Sequence, residues 1–247
     1  MAEILRVENV SRRFGGLLAL DRAAFTADEG QIVALVGPNG AGKTTLFAII
    51  TGFLQPTTGR VFYQGAEITG EPPHLLARRG IARTFQIAQP FTGLTVRENI
   101  AVGSHLSRAK RADALAAAEE VAKAVGLGPM LDVPAANLTV AGRKRLELAR
   151  ALAIEPKLLL LDEPTAGMNP QETLEFTDFV AKLRSDQGLA VLMIEHDMRV
   201  VMGISDRVTV FDYGEKIAEG TPVEIQQNER VIEAYLGSGA ATGGAAG

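Results

Sequence analysis

Four short runs along the chain are apolar at nearly every position: Ile32 to Val36, Leu158 to Leu161, Leu189 to Ile194 and Val208 to Phe211, each bounded by Gly, Pro or charged residues. Runs of this length and character predict strands buried on both faces. Helical patterns lie between them, and that alternation predicts an α/β layered domain with a mostly parallel core sheet. Two segments read differently. In the first, Glu3, Arg6 and Glu8 alternate with Ile4, Leu5 and Val7; the second is Arg60 to Gln64. With turns at Gly30 and Gly65, both predict antiparallel additions to the core. From Thr95 to Leu152 no strand pattern occurs, and Leu115, Ala118, Val121, Ala122 and Val125 mark one face of an Ala-rich helix. This predicts one domain over residues 1–236 with a helical subdomain, about 87–155, inserted in the α/β core. The stretch Gly237 to Gly247 holds only Gly, Ala, Ser and Thr, which bury too little apolar area to offset ordering entropy, so a flexible tail is expected.

Composition narrows the function classes. Hydrophobic residues make up 47% of the 247, yet no apolar run approaches the roughly 20 residues that span a bilayer. The start of the chain reads as a strand and not as a signal peptide, which predicts a protein kept in the cytoplasm. With 25 Lys and Arg against 29 Asp and Glu the net charge is −4, and the basic footprint of a nucleic-acid binder is missing. No cysteine is present, which excludes disulfides, thiol catalysis and Cys-ligated zinc.

Phosphate binding is therefore local, and the sequence says where. Gly37, Pro38, Asn39, Gly40, Ala41, Gly42, Lys43, Thr44 and Thr45 follow the first buried strand and precede the helix-like run Leu46 to Ile50. This is the P-loop pattern in its required strand-to-helix context. Glycines let the chain curl so that successive N–H groups and a helix N-terminus face phosphate oxygens. Lys43 is expected to bridge the β- and γ-phosphates, and the Thr44 hydroxyl to ligate Mg²⁺. At the end of the run Leu158 to Leu161 stand two carboxylates, Asp162 and Glu163, and burying such charge is costly without a cation or a water-filled site. Asp162 is placed to hold Mg²⁺ through water. Glu163, on the other side of the chain, is placed to orient and deprotonate an attacking water.

Together these residues resemble an ABC-type ATPase, a P-loop NTPase, through about Leu236. The resemblance implies ATP and Mg²⁺ as cofactors. Gln86, in Thr84-Phe85-Gln86, matches the family's glutamine loop, implied to sense the Mg²⁺ and water site and to touch membrane subunits. His196, after the run ending at Ile194, matches the switch histidine implied to contact the γ-phosphate. Phe14 stands where the family places an aromatic ring against adenine, a role that needs only a flat apolar face; the alternative is a plain core Phe. Ala166 to Pro170 resembles the D-loop, with Asn169 expected to cap a helix opened by Pro170.

The largest departure is the signature motif, usually Leu-Ser-Gly-Gly-Gln, which aligns with Leu138-Thr139-Val140-Ala141-Gly142. Thr139 and Gly142 are the carried-over nucleotide contacts, whereas Val140 and Ala141 add side chains where glycines allow close approach. Because the family's signature faces the partner's P-loop, the departure predicts a heterodimer with two unequal sites.

Gly80 to Gln86, Asp162 to Pro170, Glu195 to Asp206, Asp212 to Pro222 and Val231 to Leu236 are similar to the first ATPase of branched-chain amino acid importers. That likeness implies a second ABC ATPase subunit, two transmembrane permease subunits, a periplasmic solute-binding protein engaged indirectly, and a peripheral place on the cytoplasmic face of the inner membrane. Relatives that carry other amino acids, amides, urea or aromatic acids remain an alternative, as does a soluble ABC ATPase outside transport.

Overall fold

The structure is a computed structural model and describes residues 2–240. In chain order its strands and helices are β1 (Glu3–Phe14), β2 (Leu17–Asp28), β3 (Ile32–Val36), α1 (Lys43–Ile50), β4 (Thr58–Tyr63), β5 (Ala66–Glu67), α2 (Pro73–Arg78) and β6 (Ile81–Arg83). They continue with α3 (Val96–Ser104), α4 (Arg111–Ala124), α5 (Val140–Leu152), β7 (Leu158–Asp162), α6 (Pro170–Gln187) and β8 (Ala190–Ile194). The chain ends with α7 (Met198–Ile204), β9 (Arg207–Asp212), β10 (Glu215–Gly220), α8 (Pro222–Gln226) and α9 (Glu229–Ala240). Within the described residues they form two units, residues 2–73 with 190–240, and His74–Leu189.

The first unit carries two sheets. In one, β1 lies between β2 and β4, antiparallel to both, and β5 extends β4, so the additions expected from the early pattern are antiparallel as read. In the other, β3 runs parallel to β8 and β9, and β10 closes antiparallel on β9. All five residues of β3 and all five of β8 are buried, as continuous apolar runs require. Asp206 fastens the entry to β3: its Oδ2 accepts from the Ile32 N–H at 2.8 Å.

The second unit pairs β6 with β7 in parallel, Ile81 opposite Leu158 and Arg83 opposite Leu160. Its helices pack around Val96, Ile100, Ala114, Ala118, Ala122, Leu146 and Ala149. The buried alanines of α4, Ala114, Ala118 and Ala122, stand at i, i+4 and i+8, which lays one small-residue face against its neighbours. The helices expected over about 87–155 lie in this unit with β6, β7 and α6. At the other end of the chain, α9 continues to Ala240, into the stretch expected to be a tail, and 241–247 lie outside the described residues.

Candidate functional site

In the first unit the turn after β3 runs from Gly37 to Gly42 and hands over to α1. Gly37 has φ +146 and Gly42 φ +94; a Cβ on Gly37 would stand 2.0 Å from the Phe211 carbonyl oxygen, and one on Gly42 2.5 Å from that of Ala19. Only glycine fits either place. No side chain caps α1, whose N-cap is Gly42, so its first N–H groups are not spent on a capping side chain. The ends of helices with such donors attract anions through both hydrogen bonding and the helix dipole. Lys43 is buried, and its ammonium donates to the carbonyls of Gly37 at 2.7 Å and Pro38 at 2.8 Å, which pins the cation inside the curl of the loop. Asn39, Gly40 and Thr44 are exposed, and Thr45 is half-buried.

Phe14 and His196 belong to this unit too. Phe14 ends β1 and is 43% exposed, with the Arg12 guanidinium 4.6 Å from its ring centroid, so it is not a core residue. His196 is exposed just past β8, and its N–H donates to Oε2 of the buried Glu195 at 3.0 Å. Asp197 caps α7 and pairs with Arg199, which holds its carboxyl below the usual carboxylate range.

The second unit gathers the carboxylates. The β6–β7 register carries the chain past Arg83 toward the end of β7: the Thr84 N–H donates to the Leu160 carbonyl at 2.9 Å. Beyond it, Gln86 Nε2 donates to Glu163 Oε2 at 2.8 Å, so two residues named separately from sequence are in contact. Glu163 sits at φ +46, a sparsely populated conformation for a side-chain-bearing residue. Asp162 is 2% exposed, and the cation that compensates it is Arg83, whose Nη2 lies 2.8 Å from Oδ2. Sequence reasoning asked for such a cation and did not find it, because nothing local links residue 83 to residue 162.

Also missed were three charged residues on α5. Lys144 and Glu147 are buried, and with Arg150 they reach the backbone of residues 85–89. Their spacing of three was the available signal; charges at that spacing usually mark a solvated face. Burial pushes the Glu147 carboxyl above the usual range, although the Phe85 N–H, Lys144 and Arg150 all favour its ionised form. At the start of α5, Thr139 is the N-cap and its hydroxyl accepts from the Gly142 N–H at 3.1 Å. Val140 is 60% exposed beside it. Asn169 caps α6 in a capping box with Glu172, behind Pro170, as the sequence predicts.

Each residue expected to hold Mg²⁺ carries the donor type that ion takes. Magnesium takes oxygen donors, commonly one or two from protein beside substrate phosphates and water. Thr44 in the first unit, and Asp162 and Gln86 in the second, each carry oxygen, with Asp162 Oδ2 on Arg83 and the Gln86 side-chain N–H on Glu163. Among the described residues no group of three or more His, Cys, Asp or Glu could hold a metal by itself.

Comparison with known proteins agrees with this geometry. Residues 20–166 match the family described as ABC transporter, and residues 215–241 one described as branched-chain amino acid ATP-binding cassette transporter. The chain is 42% identical to the high-affinity branched-chain amino acid transport ATP-binding protein BraF of Pseudomonas aeruginosa, over 95% of this chain and 98% of that one. An ATP-binding cassette of an ABC transporter, crystallised in its ADP conformation, superposes with a TM-score of 0.87 at 32% identity, covering 96% of this chain and 100% of that one. A cassette in a dimeric post-hydrolysis state bound to ADP and Pi gives 0.81 at 25% identity, covering 89% and 99%. No helix among the described residues is long and apolar enough to cross a membrane. With the glycine turn ahead of α1, the carboxylate pair and these likenesses running nearly end to end, the chain belongs to the ABC transporter family, as one of its ATP-binding and ATP-hydrolysing cassettes.

Proposed function

We propose that this cassette energises the import of branched-chain or closely related amino acids, from the cytoplasmic face of the membrane. The observation that carries the reading is the likeness to BraF over nearly all of both chains, together with the match of residues 215–241 to the branched-chain cassette family. In this reading the P-loop, Gly37 to Thr45, takes the phosphates of ATP, with Lys43 on the β- and γ-phosphates and the Phe14 ring against adenine. Thr139 and Gly142 complete the nucleotide of the partner subunit. Thr44, Asp162 and Gln86 would hold Mg²⁺, which would supply charge that neutralises the phosphates. Glu163, held by Gln86, orients the attacking water and takes its proton, and His196 reports on the γ-phosphate.

The partners are a second, related ATPase and two membrane permease subunits, with a periplasmic solute-binding protein acting through them. Dimerisation is supported by the dimeric cassette of the same fold. An unequal pair is supported by Val140, whose side chain, 60% exposed at the start of α5, keeps another surface from close approach, whereas Ala141 is buried. A permease segment would find a place in the second unit, where a groove of about 350 Å³ is lined by Phe85, Val102, Leu106 and Ile154 with Glu147 and Arg150 at its polar side.

The test is co-purification. Membranes of the host are solubilised in mild detergent and the chain is captured through a C-terminal affinity tag. Two hydrophobic membrane proteins and a second ATPase are expected; soluble partners or ribosomes alone would withdraw the transport assignment.

A further inference from the structure

One face of α5 grips the loop that carries Gln86. Lys144, Glu147 and Arg150 follow at intervals of three, which stacks their side chains along one side of a helix. Glu147 Oε1 accepts the Phe85 N–H at 2.6 Å, and Arg150 Nη1 donates to the Gln89 carbonyl at 3.0 Å with its guanidinium 4.5 Å from the Phe91 ring centroid. Lys144 does more than hold the loop. Its ammonium donates to the Gln86 carbonyl at 2.9 Å and to the Glu163 carbonyl at 3.0 Å, tying the glutamine loop to the end of β7 through one atom.

Burying an ammonium, here in a residue 8% exposed, is costly unless its donors are satisfied, and the two carbonyls take two of its three with charge-assisted bonds. The constraint also acts in reverse. Glu163 is held at φ +46, and a strained backbone persists only where its surroundings over-determine it; a charged donor fixed to its own carbonyl is such a constraint. Lys144 rides on the helix whose N-cap is Thr139, so a shift of that helix moves the ammonium and both carbonyls with it.

We propose that Lys144 is a positioning residue for ATP hydrolysis: it sets the backbone of Gln86 and Glu163 so that their side chains meet, and couples that pair to the helix capped by Thr139. The inference rests on reading Glu163 and Gln86 as the hydrolytic groups. Because the Lys144 ammonium bonds the backbone of Gln86 and Glu163, the proposed hydrolytic pair, its loss is expected to appear in turnover and not in nucleotide binding.

The experiment measures steady-state ATPase rates of the assembled transporter over a range of ATP concentrations, for the native chain and for Lys144→Met, Lys144→Arg, Glu163→Gln and the Lys144→Met/Glu163→Gln pair. Lys144→Met keeps the apolar stem and is expected to lower kcat at least tenfold with the KM for ATP within twofold; Lys144→Arg recovers most of the rate. The double variant is expected to be no slower than Glu163→Gln alone, since both act through one group. A Lys144→Met kcat within twofold of native, beside a Glu163→Gln that has lost turnover, overturns the Lys144 proposal alone. The same holds if Lys144→Arg is as slow as Lys144→Met and both unfold at lower temperature, the signature of a packing role. A native rate in Glu163→Gln overturns the reading of the pair, and the proposal falls with it. Should Lys144→Met not assemble, Lys144→Gln is read by the same criteria.

Discussion

Gln86 and Glu163 stand 77 residues apart in the chain, and the side-chain amide of one donates to the carboxylate of the other at 2.8 Å. The parallel register of β6 on β7 makes the meeting possible, because both residues lie just past the same end of neighbouring strands.

Replacing Glu163 with Gln keeps the shape and removes the carboxylate proposed as the base. The assembled complex is expected to lose on the order of 10²–10⁴-fold in kcat, the usual contribution of a positioned general base, while still binding ATP. Steady-state ATPase assays paired with nucleotide-binding measurements check this. A full rate would assign the main hydrolytic site to the partner ATPase.

Arg83 and Asp162 are a buried ion pair, with side chains 9% and 3% exposed. Arg83→Met strands the carboxylate and is expected to destabilise the chain by about 3–5 kcal/mol. The Arg83→Met/Asp162→Asn double variant, which leaves no stranded charge, is expected to lose less than the sum of its single changes. Urea unfolding of the four proteins gives the coupling directly.

Gly37→Ala places a Cβ against the Phe211 carbonyl, where 2.0 Å separates them in the native backbone. Either β3 and β9 part or the turn opens. Both outcomes predict a loss of more than about 2 kcal/mol in stability, in the range of forced backbone rearrangement, with weakened ATP binding. Thermal unfolding with and without ATP measures both.

Glu147 supplies a pH dependence. Its native carboxyl sits above the usual range, chiefly through burial, so its contribution to stability is fully present below the unfolded value and is lost as pH rises through the raised native one. Glu147→Gln keeps an acceptor for the Phe85 N–H without the buried charge. It is expected to be more stable than native at neutral pH and to lose that advantage as pH falls below the usual carboxylate range. Unfolding midpoints between pH 4 and pH 8 test the sign, and an advantage that grows on acidification would reverse it.

Restoring the usual signature with Val140→Gly and Ala141→Gly tests the asymmetry. A faster ATPase rate is expected in the assembled complex, at a cost of about 1 kcal/mol per glycine in α5. An unchanged rate would mean that the site served by this signature does not limit turnover.

By itself the sequence determined the buried strands, the antiparallel edge, the helical stretch after Thr95, and the phosphate turn with its lysine. Each of these is written in a local pattern: an apolar run, an alternation, or glycines at a strand-to-helix junction. Tertiary structure alone decided which distant groups meet. Arg83 compensates Asp162, and Lys144 gathers the carbonyls of Gln86 and Glu163, because strand register and one helix face bring together residues that no window of sequence contains. A buried charge announces in sequence only that it needs a partner; which partner is a matter of distance in three dimensions, where a few ångströms separate a satisfied ion pair from an unfolded chain.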